Sequence, residues 1–298
     1  MAEKLNAKQR KFQTAILLWF AKHCRDLPWR RTCDPYKILV SEVMLQQTQV
    51  DRVIPKYEAF LHKFPTVKKL ARAKCFSVIK LWSGLGYNNR AVRLHQAAQE
   101  IVRHYQGALP RSIEALERLP GIGSYTARAI QAFAFDQHVA AVDVNHARVV
   151  RRIFYGINMP SEKELDAVCV SLVPIREAYA WNHALMDFGA LICKNRPRCD
   201  ICPFRSTCAA YPDVLNVTRT KKRTTESFFG SNRYFRGSIV ETLRNTPRYR
   251  IEYRMLWQKM NGQYPIILKR FRQLIHALES DHIVEITRIR SRSFVQLA

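Results

Sequence analysis

The sequence predicts an all-α protein with a small α+β domain towards its C-terminal end. Three observations carry this: apolar residues recur at helical spacing through residues 10–200, strand alternation is nearly absent there, and the composition shifts after Tyr211. Phe12, Ile16, Leu17 and Phe20 mark the first helix. Leu39, Val43 and Val50 continue the helical spacing, and Val92, Leu94, Ala97 and Ile101 repeat it. The connections are short and carry Pro or Gly, as at Asp34-Pro35, Phe64-Pro65, Leu109-Pro110 and Leu119-Pro120-Gly121. No repeat or low-complexity segment interrupts this body.

Residues 211–232 are rich in Thr, Arg, Lys and Ser, offer little to bury, and read as a basic linker. Residues 233–298 follow as a second domain. A helix turns Ile239, Val240 and Leu243 inward, a second lies around Met255 to Met260, and a third runs from Pro265 to Ser280. Two alternating segments, Ile283 to Ile286 and Phe294 to Leu297, are joined by the basic connection Thr287 to Ser293. Three helices and a basic hairpin resemble a winged helix-turn-helix; the alternative is a helical cap packed on the first domain.

The chain of 298 residues holds 49 Lys and Arg against 24 Asp and Glu, a net charge of +25 spread along its length. Such a chain seeks a polyanion. With no stretch of eighteen apolar residues to span a bilayer, nucleic acid is favoured over a lipid surface. Four of the eight cysteines, Cys193, Cys199, Cys202 and Cys208, fall within sixteen residues as C-x5-C-x2-C-x5-C. Four thiolates suit a [4Fe-4S] cluster or a structural zinc, and the single two-residue spacing favours the cluster over paired zinc knuckles. No secretory leader is visible, so a reducing compartment is expected and disulfides are disfavoured. Cys24, Cys33, Cys75 and Cys169 are scattered and read as ordinary buried thiols.

Between two helical runs, Ser112 to Arg118 and Tyr125 to Phe133, lies Leu119-Pro120-Gly121-Ile122-Gly123-Ser124-Tyr125-Thr126. Gly121 and Gly123 let backbone amides approach a ligand closely, and the positive end of the following helix favours an anion. A DNA phosphate would be held there without reference to sequence.

Helix, Pro-Gly-Ile-Gly hairpin, helix, Asp143 and then four cysteines resemble the helix-hairpin-helix DNA glycosylases of the endonuclease III superfamily. Within them Leu27-Pro28-Trp29-Arg30, the run Ser41-Glu42-Val43-Met44-Leu45-Gln46-Gln47-Thr48, Trp82 to Tyr87, and Met186-Asp187-Phe188-Gly189-Ala190 are similar to the MutY-type adenine glycosylases. The resemblance implies a two-lobed fold over residues 1–210, with a six-helix lobe of about residues 30–136 and a cluster lobe of residues 1–29 and 137–210 holding a [4Fe-4S] cluster. It implies a monofunctional, monomeric enzyme of base excision repair, cytoplasmic and nucleoid-associated, acting on double-stranded DNA that contains a mismatched or damaged base.

Breaking an N-glycosidic bond needs an acid for the departing base and a negative charge beside the sugar cation. Glu42 sits among Ile38, Leu39, Val40, Val43, Met44 and Leu45, where desolvation favours the protonated acid. Asp143 reads locally as a helix N-cap, as does Asn145. The resemblance assigns Asp143 to the sugar cation, Asn145 to its orientation and Tyr125 to its side. Relatives that also cut the strand place Lys where Tyr125 stands, so its absence predicts base release without strand cleavage. The resemblance further assigns Gln47, Thr48, Leu85 and Tyr87, with Gly121, Gly123 and Arg30, to DNA, and Leu27 and Trp29 to the base pocket. Tyr87 is the candidate wedge that fills the gap left by an extruded base.

The chain departs from the MutY-type pattern in three places. Its first cysteine gap is five residues rather than six. Residues 233–298 do not resemble the larger C-terminal domain that reads 8-oxoguanine, and Asp143-Val144-Asn145-His146 and Tyr87-Asn88-Asn89-Arg90 alter the pocket. The expected reaction is removal of adenine mispaired with 8-oxoguanine or guanine. The alternatives are a thymine or uracil mismatch glycosylase of the same fold, or a non-enzymatic DNA-binding iron-sulfur protein.

Overall fold

The computed structural model describes residues 5–216 and 227–298. Fourteen α-helices and three strands follow one another among the described residues. They are α1 (Ala7–His23), α2 (Pro35–Leu45), α3 (Val50–Lys63), α4 (Val67–Ala71), α5 (Cys75–Leu81), α6 (Asn89–Tyr105), α7 (Ile113–Glu117) and α8 (Ser124–Ala134). Next come α9 (Val144–Phe154), α10 (Glu162–Ser171), α11 (Ala178–Leu191), α12 (Asn232–Arg244), β1 (Arg250–Glu252), α13 (Tyr253–Gln263), α14 (Leu268–Ser280), β2 (Val284–Ile289) and β3 (Arg292–Leu297). The all-α body and the C-terminal α+β region are both present.

The described residues form two compact units, one within Met1–Leu39, Arg111–Arg118 and Ile122–Lys221, the other within Val40–Pro110, Leu119–Gly121 and Lys222–Ala298. In the first, α1, α9 and α11 bury Phe12, Ile16, Val149, Val150, Trp181, Leu185 and Phe188 in one core. The ring of Phe12 meets Trp181 edge-on at 5.8 Å and Phe154 at 5.4 Å. Asn6 and Gln9 close a reciprocal capping box at the start of α1, which satisfies donors the helix itself leaves over.

In the second unit the C-terminal region is not a free module. Ile79 of α5 and Val92 of α6 share a core with Phe235, Ile239, Leu243, Phe271 and Ile275. Helix, strand, two helices and a hairpin follow in winged-helix order, and the sheet is antiparallel in the order β1-β3-β2, with Val295 opposite both Ile251 and Ile286. The element order is that of a winged helix and the packing is that of a cap.

Local differences from the sequence reading have physical causes. Leu39, Val43 and Val50 do not lie on one helix, because the chain turns at Gln47 with φ of 55° and Val50 begins α3. Strand β1 was too short to show an alternation, and the hairpin strands extend to Ile289 and back from Arg292, leaving Arg290 and Ser291 as the turn. Cys24 and Cys33 are exposed, not buried, whereas Cys169 is buried and Cys75 half-buried. Of the basic linker, residues 217–226 lie outside the described residues, while Asp213–Leu215 form a single helical turn.

Candidate functional site

In the first unit a cleft of about 840 Å³ is lined by Ser124, Tyr125, Arg128, Asp143 and Arg148, among others. Asp143 is the N-cap of α9. Its Oδ1 accepts from the backbone amides of Asn145 at 3.0 Å and His146 at 2.7 Å, and its Oδ2 from the side-chain amide of Asn145 at 2.8 Å. Both carboxylate oxygens are thereby fixed at the N-terminus of α9. A capping carboxylate that also lines an open cleft can face a developing cation.

Asn145 is itself held. Arg148 donates to Asn145 Oδ1 at 2.6 Å, to the carbonyl of Gly189 at 2.8 Å and, through Nε, to the carbonyl of Cys193 at 2.8 Å. Burial lowers the pKa of this guanidinium. Gly189 explains part of the Met186 to Ala190 motif: a Cβ there would lie 2.5 Å from Asn145 Cβ and 3.0 Å from its Cα, so only glycine lets α11 pass this close to α9. Asp187 explains the rest. It is fully buried, and Arg30 binds it in a fork at 2.7 and 2.9 Å while Arg25 Nε adds 2.6 Å. Burial alone would raise the Asp187 carboxyl pKa, but Arg30 and Arg25 hold it below its ordinary value.

The side chain of Arg30, expected on DNA, is 8% exposed, and its guanidinium is taken up by Asp187. Leu27 and Trp29 beside it are buried.

Glu42 lies in the second unit, on α2, and is 6% exposed within a nearly continuous apolar segment. The turn after α2 is organised by Arg90, named from sequence only as part of the altered Tyr87 to Arg90 run. Arg90 of α6 is 7% exposed and donates from Nη1 to the carbonyls of Val43 (2.9 Å), Met44 (2.9 Å) and Gln46 (2.6 Å). From Nη2 it donates to Thr48 Oγ1 (3.0 Å) and to the carbonyls of Leu85 (3.0 Å) and Gly86 (3.2 Å). Burial lowers its pKa to about 10, so it remains charged at neutral pH. One guanidinium thus ties the end of the Glu42 helix and the Gln47-Thr48 turn to the loop before Tyr87. An arginine in an amphipathic helix gives no sign of this in sequence.

Gln47 and Tyr87 are exposed, each in the left-handed backbone region with φ of 55° and 44°. Thr48 is half-buried and Leu85 is buried at 6% exposure, so Leu85, expected on DNA, supports the loop from inside and offers mainly its carbonyl. Gly121 has φ of 81° and its absent Cβ leaves room for Arg93, while Gly123 caps α8 without a side-chain hydrogen bond.

The four clustered cysteines line one small cavity with Arg152, Ile153 and Phe188. Arg152 reaches Cys193 Sγ at 3.4 Å and the carbonyls of Lys194 and Asn195 at 2.5 and 3.2 Å. Among the described residues no three His, Cys, Asp or Glu are drawn together tightly enough to hold a single metal ion. Burial and the neighbouring cysteines raise the pKa of Cys199, and burial pushes Cys202 to about 11. These are thiols whose ionised form needs a positive centre, so the donor set fits an iron-sulfur cluster in its chemistry.

The fold has solved counterparts. A thermostable thymine-DNA glycosylase matches with a TM-score of 0.66 at 34% identity, covering 69% of this chain and 97% of that one. Endonuclease III trapped covalently on DNA matches in fold with a TM-score of 0.61 at 23% identity, over 70% and 97% of the two chains. The fold is that of a helix-hairpin-helix repair enzyme. The chain belongs to the HhH-GPD superfamily of base excision DNA repair proteins, whose pattern it matches over residues 40–174. Membership makes it an enzyme of the DNA glycosylase class. The adenine DNA glycosylase of Mycolicibacterium smegmatis is 40% identical over 251 residues, 81% of this chain and 84% of that protein. That of Mycobacterium tuberculosis is 39% identical over 252 residues, 82% and 83%. The human adenine DNA glycosylase is 40% identical over 213 residues, 67% of this chain but 39% of the longer relative.

Proposed function

We propose that the protein is a monofunctional adenine DNA glycosylase that removes adenine mispaired with 8-oxoguanine or guanine. Asp143 carries the reading: a carboxylate fixed at both oxygens, on the wall of an open cleft that Tyr125, and no lysine at that position, also lines. In this reaction the target nucleotide leaves the duplex. Glu42, in its apolar surroundings, gives a proton to the purine ring as the glycosidic bond breaks. Asp143 stabilises the sugar cation, and Asn145 keeps that carboxylate oriented. Water then adds to the sugar, leaving an abasic site and an uncut strand. Gln47, Thr48 and Tyr87 hold the vacated duplex, and Gly121 and Gly123 hold a phosphate through backbone amides. Cys193, Cys199, Cys202 and Cys208 would hold a [4Fe-4S] cluster, which supplies a rigid scaffold for the basic loop of residues 194–198 and enters no bond-breaking step. The protein acts as a monomer on duplex DNA in the cytoplasm, at the nucleoid; no described helix is long and apolar enough to cross a membrane.

The likeness to a thymine-DNA glycosylase supports a second reading, removal of thymine or uracil opposite guanine by the same groups. Single-turnover excision on duplexes carrying A, T, U or hypoxanthine opposite G, 8-oxoguanine or C separates the two. Selective adenine release supports the first, thymine or uracil release the second, and release of none would refute both.

A further inference from the structure

The C-terminal region meets the Tyr87 ring through an arginine. Arg233, at the start of α12, stacks its guanidinium over the Tyr87 ring at 4.7 Å and over the Phe228 ring at 5.7 Å. Below this contact the two parts are bolted together. Arg244 donates to the carbonyl of Ile79 at 2.9 Å and to Asn88 Oδ1 at 2.6 Å, next to Tyr87, and Lys80 Nζ donates to Tyr249 Oη at 2.8 Å.

Phe228 and Phe229 are 52% and 63% exposed, yet the turn that presents them is built firmly. Ser231 Oγ donates to the Phe228 carbonyl at 2.7 Å, and Arg270 donates to the Gly230 carbonyl at 2.8 Å. Gly230 has φ of 78° and lies so close to the Tyr264 ring that a Cβ would come within 2.4 Å of it. An ordered turn that leaves two phenyl rings more than half exposed, packed against one another and Tyr234, on a protein of net charge +25, points to a binding surface. The cations beside it favour an anionic chain, and flat rings take flat ligands.

We propose that Phe228, Phe229 and Arg233 form a stacking surface continuous with Tyr87, which takes an unpaired nucleobase of the duplex at the lesion. The surface rests on the glycosylase reading and extends it, giving the C-terminal region a direct part in holding DNA. Aromatic stacking is tolerant of base identity, so the surface adds affinity for a disrupted duplex and no base code.

The test uses the full-length holoprotein and a duplex with 2-aminopurine, a fluorescent purine, opposite an abasic site. The wild type should quench the fluorophore on binding. The Phe228→Ala/Phe229→Ala double variant should lose most of that quenching and bind about tenfold or more weakly. Its salt dependence should be unchanged because no charge is removed. A Phe228→Tyr/Phe229→Tyr variant should restore both signals, which separates stacking from a folding defect. Wild-type quenching and affinity in the alanine variant would overturn the proposal, as would a change of oligomeric state with DNA binding intact, which would assign the rings to a second copy of the chain. A wild type that excises no base would fail the glycosylase reading and leave the quenching result to decide the surface by itself.

Discussion

Replacing Arg90 by methionine should loosen the Gln47-Thr48 turn and the loop before Tyr87 at once. The guanidinium makes six donor contacts, five to backbone carbonyls and one to Thr48, at 2.6 to 3.2 Å. It also sits against the Trp82 and Tyr87 rings at 5.4 and 5.8 Å. Each such bond contributes about 1.5–3 kcal/mol in isolation, but a straight sum overcounts, since relaxation and water recover part of it. Removing one member of a buried charged network typically costs about 3–5 kcal/mol, a fall in Tm of about 5–8 °C for a chain of this size. The left-handed backbones of Gln47 and Tyr87 each store about 1–3 kcal/mol and need that frame to persist. Scanning calorimetry, duplex binding and single-turnover excision should therefore all respond to Arg90→Met. Arg90→Lys should be intermediate, because a point charge cannot reproduce the two-sided fork. Wild-type melting and wild-type affinity in Arg90→Met would refute the hub.

Gly189→Ala pushes a methyl into the Asn145 backbone; it should cost about 1–3 kcal/mol in calorimetry and slow excision about 10–100-fold by displacing the Asp143 carboxylate. His146 is fully buried with its pKa lowered by burial to about 3, and His183 is lowered well below 6.5 by burial and the charge of Arg30. The unfolded chain binds the extra protons in that window, so stability is full above about pH 6.5 and falls with acidification, by about 3 kcal/mol for the two at pH 5.5 relative to pH 7.5, in denaturant titrations. Tyr125→Lys places an amine in the cleft that Asp143 lines. This variant should give a borohydride-trappable adduct with substrate DNA that the wild type does not form.

Much of the fold was legible because burial writes a period into the sequence. Phe12 and Ile16, then Val92, Leu94, Ala97 and Ile101, and Ile239, Val240 and Leu243 are buried as their spacing marked, whereas Leu17 and Phe20 are half-buried and Met255 is exposed. Asp143 was legible as an N-cap because a short acceptor before Val144 has few other uses at that place. What stayed hidden was every interaction that closes at long range. Nothing local shows that Arg30 is taken up by Asp187, 157 positions away, or that Arg90 reaches back 47 positions to Val43. The motif around Leu85 likewise gives no sign that its apolar side chain is buried. The winged-helix order of the C-terminal region was readable from three amphipathic helices and a basic hairpin, whereas its shared core with Ile79 and Val92 was not.

The division of labour between two carboxylates is tested most directly by single-turnover excision from A·8-oxoguanine and A·G duplexes with Glu42→Gln and Asp143→Asn, beside titrations of the same duplexes. Each variant should bind DNA close to wild type and release almost no adenine. Wild-type release by either one would contradict the account.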